Sequence, residues 1–131
     1  MERNFKEVWF VDFEFRAPDG QTPEPRCMVA KELKSKTLKR LWLHGRRIDD
    51  PPFDLGEDTL YVAYYGSAEV GCHLSLNWPV PKNLLDLFVE FRINMNGFNP
   101  HGGFSLLGAM SSFGLGHMAP STKDSMRDLA M

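Results

Sequence analysis

Hydrophobic and polar positions alternate with a period of two at the start of the chain. In Val8-Trp9-Phe10-Val11-Asp12-Phe13-Glu14-Phe15, an extended backbone places Trp9, Val11, Phe13 and Phe15 on one side and Asp12 and Glu14 on the other. Ala17-Pro18-Asp19-Gly20 then reads as a turn, prolonged by a polar loop from Gln21 to Pro25. Arg26 to Leu33 is a second strand, antiparallel to the first if the loop closes a hairpin, and Leu38 to Leu43 is a third short apolar run. Residues 45–58 carry Gly45, Pro51, Pro52 and Gly56 among charges and form a loop before Thr59 to Tyr65, a run of strong strand formers.

The period changes after Tyr65. Ser67 is placed to cap a helix with apolar positions Ala68, Val70, Cys72, Leu74 and Leu76, which runs up to the break at Asn77-Trp78-Pro79. Asn83 to Leu87 is a short strand or strand edge leading into Phe88 to Arg92, and Gly102-Gly103 precedes a helix over Phe104 to Met110. The tail from Ala119 to Met131 has the start of a further helix, capped by Ser121 or Thr122, with Met126, Leu129 and Ala130 apolar. Strands first and helices later predict an α/β domain, a mixed sheet with helices packed against it, as one unit over residues 1–131. The chain stops inside its last helical pattern without a closing glycine or polar tail, which predicts incomplete C-terminal helices.

Composition narrows the class. A chain of 131 residues, 43% hydrophobic, can bury a real core as one domain. Net charge is −2, so no global positive field advertises a polyanion. The charge is nevertheless segregated. Lys31, Lys34, Lys36, Lys39, Arg40, Arg46 and Arg47 are followed by Asp49, Asp50, Asp54, Glu57 and Asp58. A basic segment beside an acidic site suits a polyanion held while its phosphate is attacked, though a solvated face is the commoner cause of such a run. Cys27 and Cys72 have no metal-type spacing and suit small buried thiols of a reducing compartment. The N-terminal residues lack a secretory apolar segment and no run reaches about 18 apolar residues, so a cytoplasmic location without a membrane partner is expected.

The candidate chemistry starts at Asp12 and Glu14. Two carboxylates on one small patch repel and raise each other's pKa unless a positive charge lies between them, and oxygen-only ligands favour Mg²⁺ or Mn²⁺. Two such ions about 3.5–4 Å apart form the usual phosphodiester-cleaving arrangement. By itself the pair is a weak signal, and a half-exposed strand whose acidic face is solvated is its commoner cause.

The order of motifs goes further. Phe10-Val11-Asp12-Phe13-Glu14, then Val62-Ala63-Tyr64-Tyr65-Gly66-Ser67-Ala68-Glu69, then Leu84-Leu85-Asp86-Leu87, resembles the four-acid (DEDD-type) 3′–5′ exonuclease superfamily with its ribonuclease H-like fold. The similarity is greatest to the exonuclease-like N-terminal part of DNA polymerase I-like proteins, through Gly71 to Pro79, Asp86 to Arg92 and Lys123 to Leu129. The resemblance implies that Asp12, Glu14 and Glu69 are catalytic metal ligands for Mg²⁺ or Mn²⁺, with Asp86 the competing third acid. It implies a single-stranded DNA or other nucleic-acid 3′ end as substrate and a polymerase domain as partner. The family's last motif, a Tyr or His followed by an Asp on a late helix, has no counterpart after Glu69; His117 lies too early, and Asp124 and Asp128 fall on the preceding helix. A truncated, weakly active or inactive nuclease follows. The alternatives are a catalytically dead nucleic-acid-binding or polymerase-associated module, and a structural interaction domain that docks or self-associates through Phe104 to Met118.

Other residues favour plainer roles. His73 is expected to be packed or hydrogen-bonded at a helix surface, and His44, His101 and His117 have no partner spacing. Trp78, Phe88 and Phe91 suit core packing better than base stacking. Asn94, Asn96 and Asn99 with Gly97, Gly102 and Gly103 make a flexible loop without a phosphate-binding lysine. Ser67, Ser111 and Ser112 lack an esterase setting.

Overall fold

The structure, a computed structural model, describes residues 3–116; the helix expected over 119–131, with Asp124 and Asp128, lies outside the described residues, as does His117. The opening alternation becomes β1 (Glu7–Arg16), which pairs antiparallel with β2 (Glu24–Glu32), and β2 pairs antiparallel with β3 (Leu38–Trp42). After the charged loop, β4 (Thr59–Ala63) lies on the other side of β1 and parallel to it. A crossover through α1 (Gly66–Ser75) leads to β5 (Leu84–Asp86), parallel to β4, followed by α2 (Leu87–Met95) and α3 (Leu106–Ser112). The resulting order β3-β2-β1-β4-β5 is a five-stranded mixed α/β sheet with flanking helices, in a ribonuclease H-like arrangement. Among the described residues no helix is long and apolar enough to cross a membrane.

The period-two pattern sets the core. Trp9, Val11 and Phe13 are buried with Met28 and Ala30 of β2 and Tyr61 and Ala63 of β4, while Cys72 of α1 and Trp78 close the same cluster. Burying an aromatic or aliphatic side chain contributes about 1.5–3 kcal/mol, so this one face supplies most of what ties α1 to the sheet. Phe15 packs against the cluster only in part. The register shifts between Glu14 and Phe15, whose partners are Cys27 and Pro25, and such a bulge bends the strand near its end.

The helices and the strands that lead into them correct four sequence expectations. Ser67 does not cap α1; the cap is Tyr65, in the left-handed region at φ 72°, with no side-chain cap of its own. The strand therefore ends at Ala63 rather than Tyr65. The buried face of α1 is Gly66, Glu69, Cys72 and His73, while Leu74 is exposed. Ala68, Val70, Cys72, Leu74 and Leu76 recur every two residues, a strand period that cannot share one helical face, so the side turned to the sheet is partly polar. Leu87, placed in the strand from sequence, instead starts α2, because Asp86 accepts from the Phe88 N–H at 2.9 Å and caps that helix.

The glycine pair expected to be a flexible loop is a packing surface. Gly108 is buried in the first turn of α3, capped by Ser105, and a Cβ there would collide with the carbonyl oxygens of Gly102 and Gly103. Gly108→Ala is therefore expected to destabilise the α2–α3 corner by roughly 1–3 kcal/mol. Hydrogen exchange should show α3 amides losing protection while those of β1 and β2 keep theirs; equal protection in α3 would contradict this packing.

Candidate functional site

The site follows from where two parallel strands part. β1 and β4 pair from Glu7 with Thr59 to Phe10 with Val62; beyond that, β1 runs on to Arg16 while β4 ends at Ala63 and turns into α1. The chain leaves β1 towards β2 on one side and leaves β4 towards β5 on the other. In open α/β sheets this divergence at the carboxyl ends of parallel strands opens the crevice where ligands bind. Asp12 and Glu14 lie just past the last paired residue of β1, and Glu69 lies in the first turn of α1.

Asp12 is exposed and Glu14 half-buried, and they emerge together on the face opposite Trp9, Val11 and Phe13, as the alternation predicts. Glu69 approaches from the helix side and is only 3% exposed. Burial pushes its pKa up to about 8, the charge of Asp12 adds to the rise, the backbone hydrogen bond from Phe13 opposes it, and Glu14 adds a smaller push. The second carboxylate oxygen, Oε2, is buried and has no hydrogen-bond partner among the described residues. Burial with the charges of Glu69 and Asp12 also lifts the neighbouring Cys72 thiol to about 12. Glu69 thus lies within the electrostatic influence of Asp12 and Glu14.

A buried carboxylate oxygen without a hydrogen-bond partner among the described residues costs about 1–3 kcal/mol. Carboxylate oxygens are the donor type that Mg²⁺ and Mn²⁺ prefer. Among the described residues no group of three or more His, Cys, Asp or Glu side chains is arranged to enclose a metal ion.

Asp86, the competing acid, is engaged elsewhere. Its Oδ1 accepts from the Tyr65 N–H at 3.0 Å and the Phe88 N–H at 2.9 Å, and its Oδ2 accepts from the Gly66 N–H at 2.8 Å. One carboxylate thus holds the starts of α1 and α2 together and compensates for the left-handed Tyr65, a conformation that costs a bulky residue about 1–3 kcal/mol. Asp86 positions the helix that carries Glu69.

His73 is buried, as a packed histidine should be. Its Nδ1–H donates to the Pro79 carbonyl at 2.9 Å, which leaves Nε2 to accept from the Tyr61 hydroxyl at 3.0 Å. Burial lowers its pKa, so it stays neutral. Trp78 and Phe91 are core residues, and the Trp78 indole N–H donates to the Ile48 carbonyl at 2.8 Å.

The structure sorts the basic segment, which the sequence could not do. Lys39 lies over the Trp9 ring at 5.9 Å, Lys34 donates to the Phe5 carbonyl at 2.7 Å, and Arg47 pairs with Asp49 at 2.8 Å. Lys31 and Arg40 alone, of those on strands, share the sheet face of Asp12 and Glu14; the register places Arg40 opposite Val29, which is opposite Asp12. The signal was available in strand parity, since alternate residues of paired strands share a face, but only the register makes it usable.

Two outcomes follow. With the folded carboxyl of Glu69 at about 8 and its unfolded value near 4.5, folding takes up a proton between those limits. Stability is therefore full below about pH 4.5 and declines as pH rises towards 8, at up to about 1.4 kcal/mol per pH unit. Denaturant melts of the metal-free protein at pH 5.5, 7 and 8.5 should show this decline, and Glu69→Gln should flatten it. Asp86→Ala, which strands three backbone donors, should cost about 2–4 kcal/mol and lower Tm by several degrees or more. No family model matches this chain and no curated protein matches it, so the functional reading rests on the site itself.

Proposed function

We propose that this chain is a metal-dependent nuclease of the 3′–5′ exonuclease type, acting on the 3′ end of single-stranded DNA or another nucleic acid in the cytoplasm. The observation that carries the reading is Glu69, buried with an unpaired carboxylate oxygen, beside Asp12 and Glu14 at the divergence of β1 and β4. Asp12, Glu14 and Glu69 would hold Mg²⁺ or Mn²⁺. Divalent ions of this kind, when bound, make water a nucleophile at neutral pH and neutralise charge developing on the phosphate and the leaving 3′ oxygen.

The chain's own residues set the conditions for that chemistry. Glu69 is rigidly presented because α1 is anchored at its start by Asp86 and along its length by Cys72 and His73. Asp12 and Glu14 extend from a strand whose other face is the core, so their backbone cannot drift apart. Glu69 would have to give up its proton to hold a cation, so cation affinity would rise with pH up to about pH 8. Three acids rather than four make the described site a weak catalyst, and a polymerase domain or another partner would supply the remainder. Exposed Ile93, Phe113 and Leu115 on and beyond α2 and α3 suit such a partner or self-association. Cys27 and Cys72 are free thiols, in keeping with a reducing compartment.

A second reading has one observation in its favour. The acids are not grouped tightly enough among the described residues to enclose a cation, which favours a nucleic-acid-binding module without catalysis. The two readings part in one assay pair. Calorimetric titration with Mn²⁺ at pH 8 should show binding that Asp12→Ala weakens, and release of mononucleotides from an oligonucleotide, slow in the wild type, should fall by roughly 100-fold or more in that variant. Oligonucleotide binding without Mn²⁺ uptake establishes the non-catalytic module; cleavage that survives Asp12→Ala refutes the proposed ligand set.

A further inference from the structure

Among the described residues nothing covers the sheet face that carries Asp12 and Glu14 where it continues across β2 and β3. On it, the register aligns Glu14 with Cys27 and Trp42, Asp12 with Val29 and Arg40, and Phe10 with Lys31 and Leu38. Paired strands lie about 4.8 Å apart, so Trp42 and Arg40 stand about 10 Å from the acid in their own row. Trp42 is 50% exposed, and Phe10, Val29 and Leu38 on the same face are 41%, 42% and 46% exposed. Three rows of a sheet with apolar side chains in the open are unusual for a surface that meets only water.

The charges on this face are arranged by column. The acids stand on β1, while the cations Lys31 and Arg40 stand on β2 and β3, and neither cation has an ion-pair partner among the described residues. Trp42 presents an open ring surface beside Arg40, with the His44 ring set edge-on at 6.5 Å. An exposed aromatic ring beside cations without an ion-pair partner matches a strand of nucleic acid, with a phosphate met by Arg40 and an unstacked base on Trp42. A purely apolar partner would leave Arg40 and Lys31 desolvated and unpaired, which counts against it.

We propose that the open face of β3-β2-β1 is a track for single-stranded nucleic acid, with Trp42 stacking a base and Arg40 holding an adjoining phosphate. This rests on the nucleic-acid reading above and deepens it: Trp42 and Arg40 are positioning residues, and the strand runs across the sheet from β1 towards β3. Double-stranded nucleic acid is disfavoured, because its bases are already stacked and leave none for Trp42.

Intrinsic fluorescence gives a direct readout, since Trp9 and Trp78 are each 3% exposed and Trp42 is half-exposed. Wild-type protein in EDTA is titrated with a twelve-nucleotide oligothymidylate, with no hydrolysis to interfere. Expected are quenching that is absent in Trp42→Phe, a Kd raised at least fivefold in Trp42→Ala, and a Kd raised at least fivefold in Arg40→Gln with a salt slope shallower by about one. Both positions are exposed, and matching melting curves confirm that the variants fold. Binding of equal strength in wild type, Trp42→Ala and Arg40→Gln, tighter binding of a duplex, or no binding by wild type overturns the track. The Mn²⁺ titration fails or succeeds separately, so oligonucleotide binding through Trp42 and Arg40 without metal uptake leaves the track standing and removes the nuclease.

Discussion

The short parallel pairing of β1 with β4 is the constraint on which the rest of the molecule depends. It ends at Phe10 and Val62, and everything of chemical interest lies just beyond it. Had β4 continued alongside β1, the backbone N–H of Phe13 would be a ladder partner and no space would exist for a carboxylate. Because β4 turns away, Glu69 enters at the strand's open edge and takes that N–H, and its carboxyl group comes within the field of Asp12 and Glu14. The crevice is a consequence of topology, since the chain leaves the two strands in opposite directions.

Holding an acid in that crevice requires a rigid helix start, and the sheet supplies it from the far side. Asp86 at the end of β5 satisfies the N–H groups of Tyr65, Gly66 and Phe88 at once. The left-handed Tyr65 is tolerated because those bonds over-determine it, and strained backbone of this kind clusters at working sites. A buried chain of hydrogen bonds from Tyr61 through His73 to Pro79 pins the other end of α1 to β4 and to the turn that follows the helix. Glu69 is thereby fixed in position before any ligand arrives, which is the economical arrangement for recognition, because the ordering cost falls on folding and not on binding.

The two faces of the sheet consequently have different physics. One is sealed by α1 and a cluster of aromatic rings, with Phe13, Tyr61 and Trp78 around neutral His73. The other keeps its acids, cations and an indole open across three strands. Burying charges is costly and exposing apolar rings is mildly so, and this face carries both.

Much of this was legible in residue order. Alternation of Val11, Phe13 and Phe15 with Asp12 and Glu14 determined that the two acids share a side away from the core, because a strand's period of two leaves no freedom in that choice. Turn residues and strand formers likewise determined the hairpin, the charged loop and the order of elements. Tertiary structure decided the rest. The buried stripe of α1 runs through Glu69 and His73 instead of the apolar positions, since the side of a helix that is buried depends on how the crossover seats it. Asp86 anchors two helix starts because both begin within its reach. Lys31 and Arg40 were separated from the other basic residues by strand pairing alone, a long-range register that no local pattern encodes.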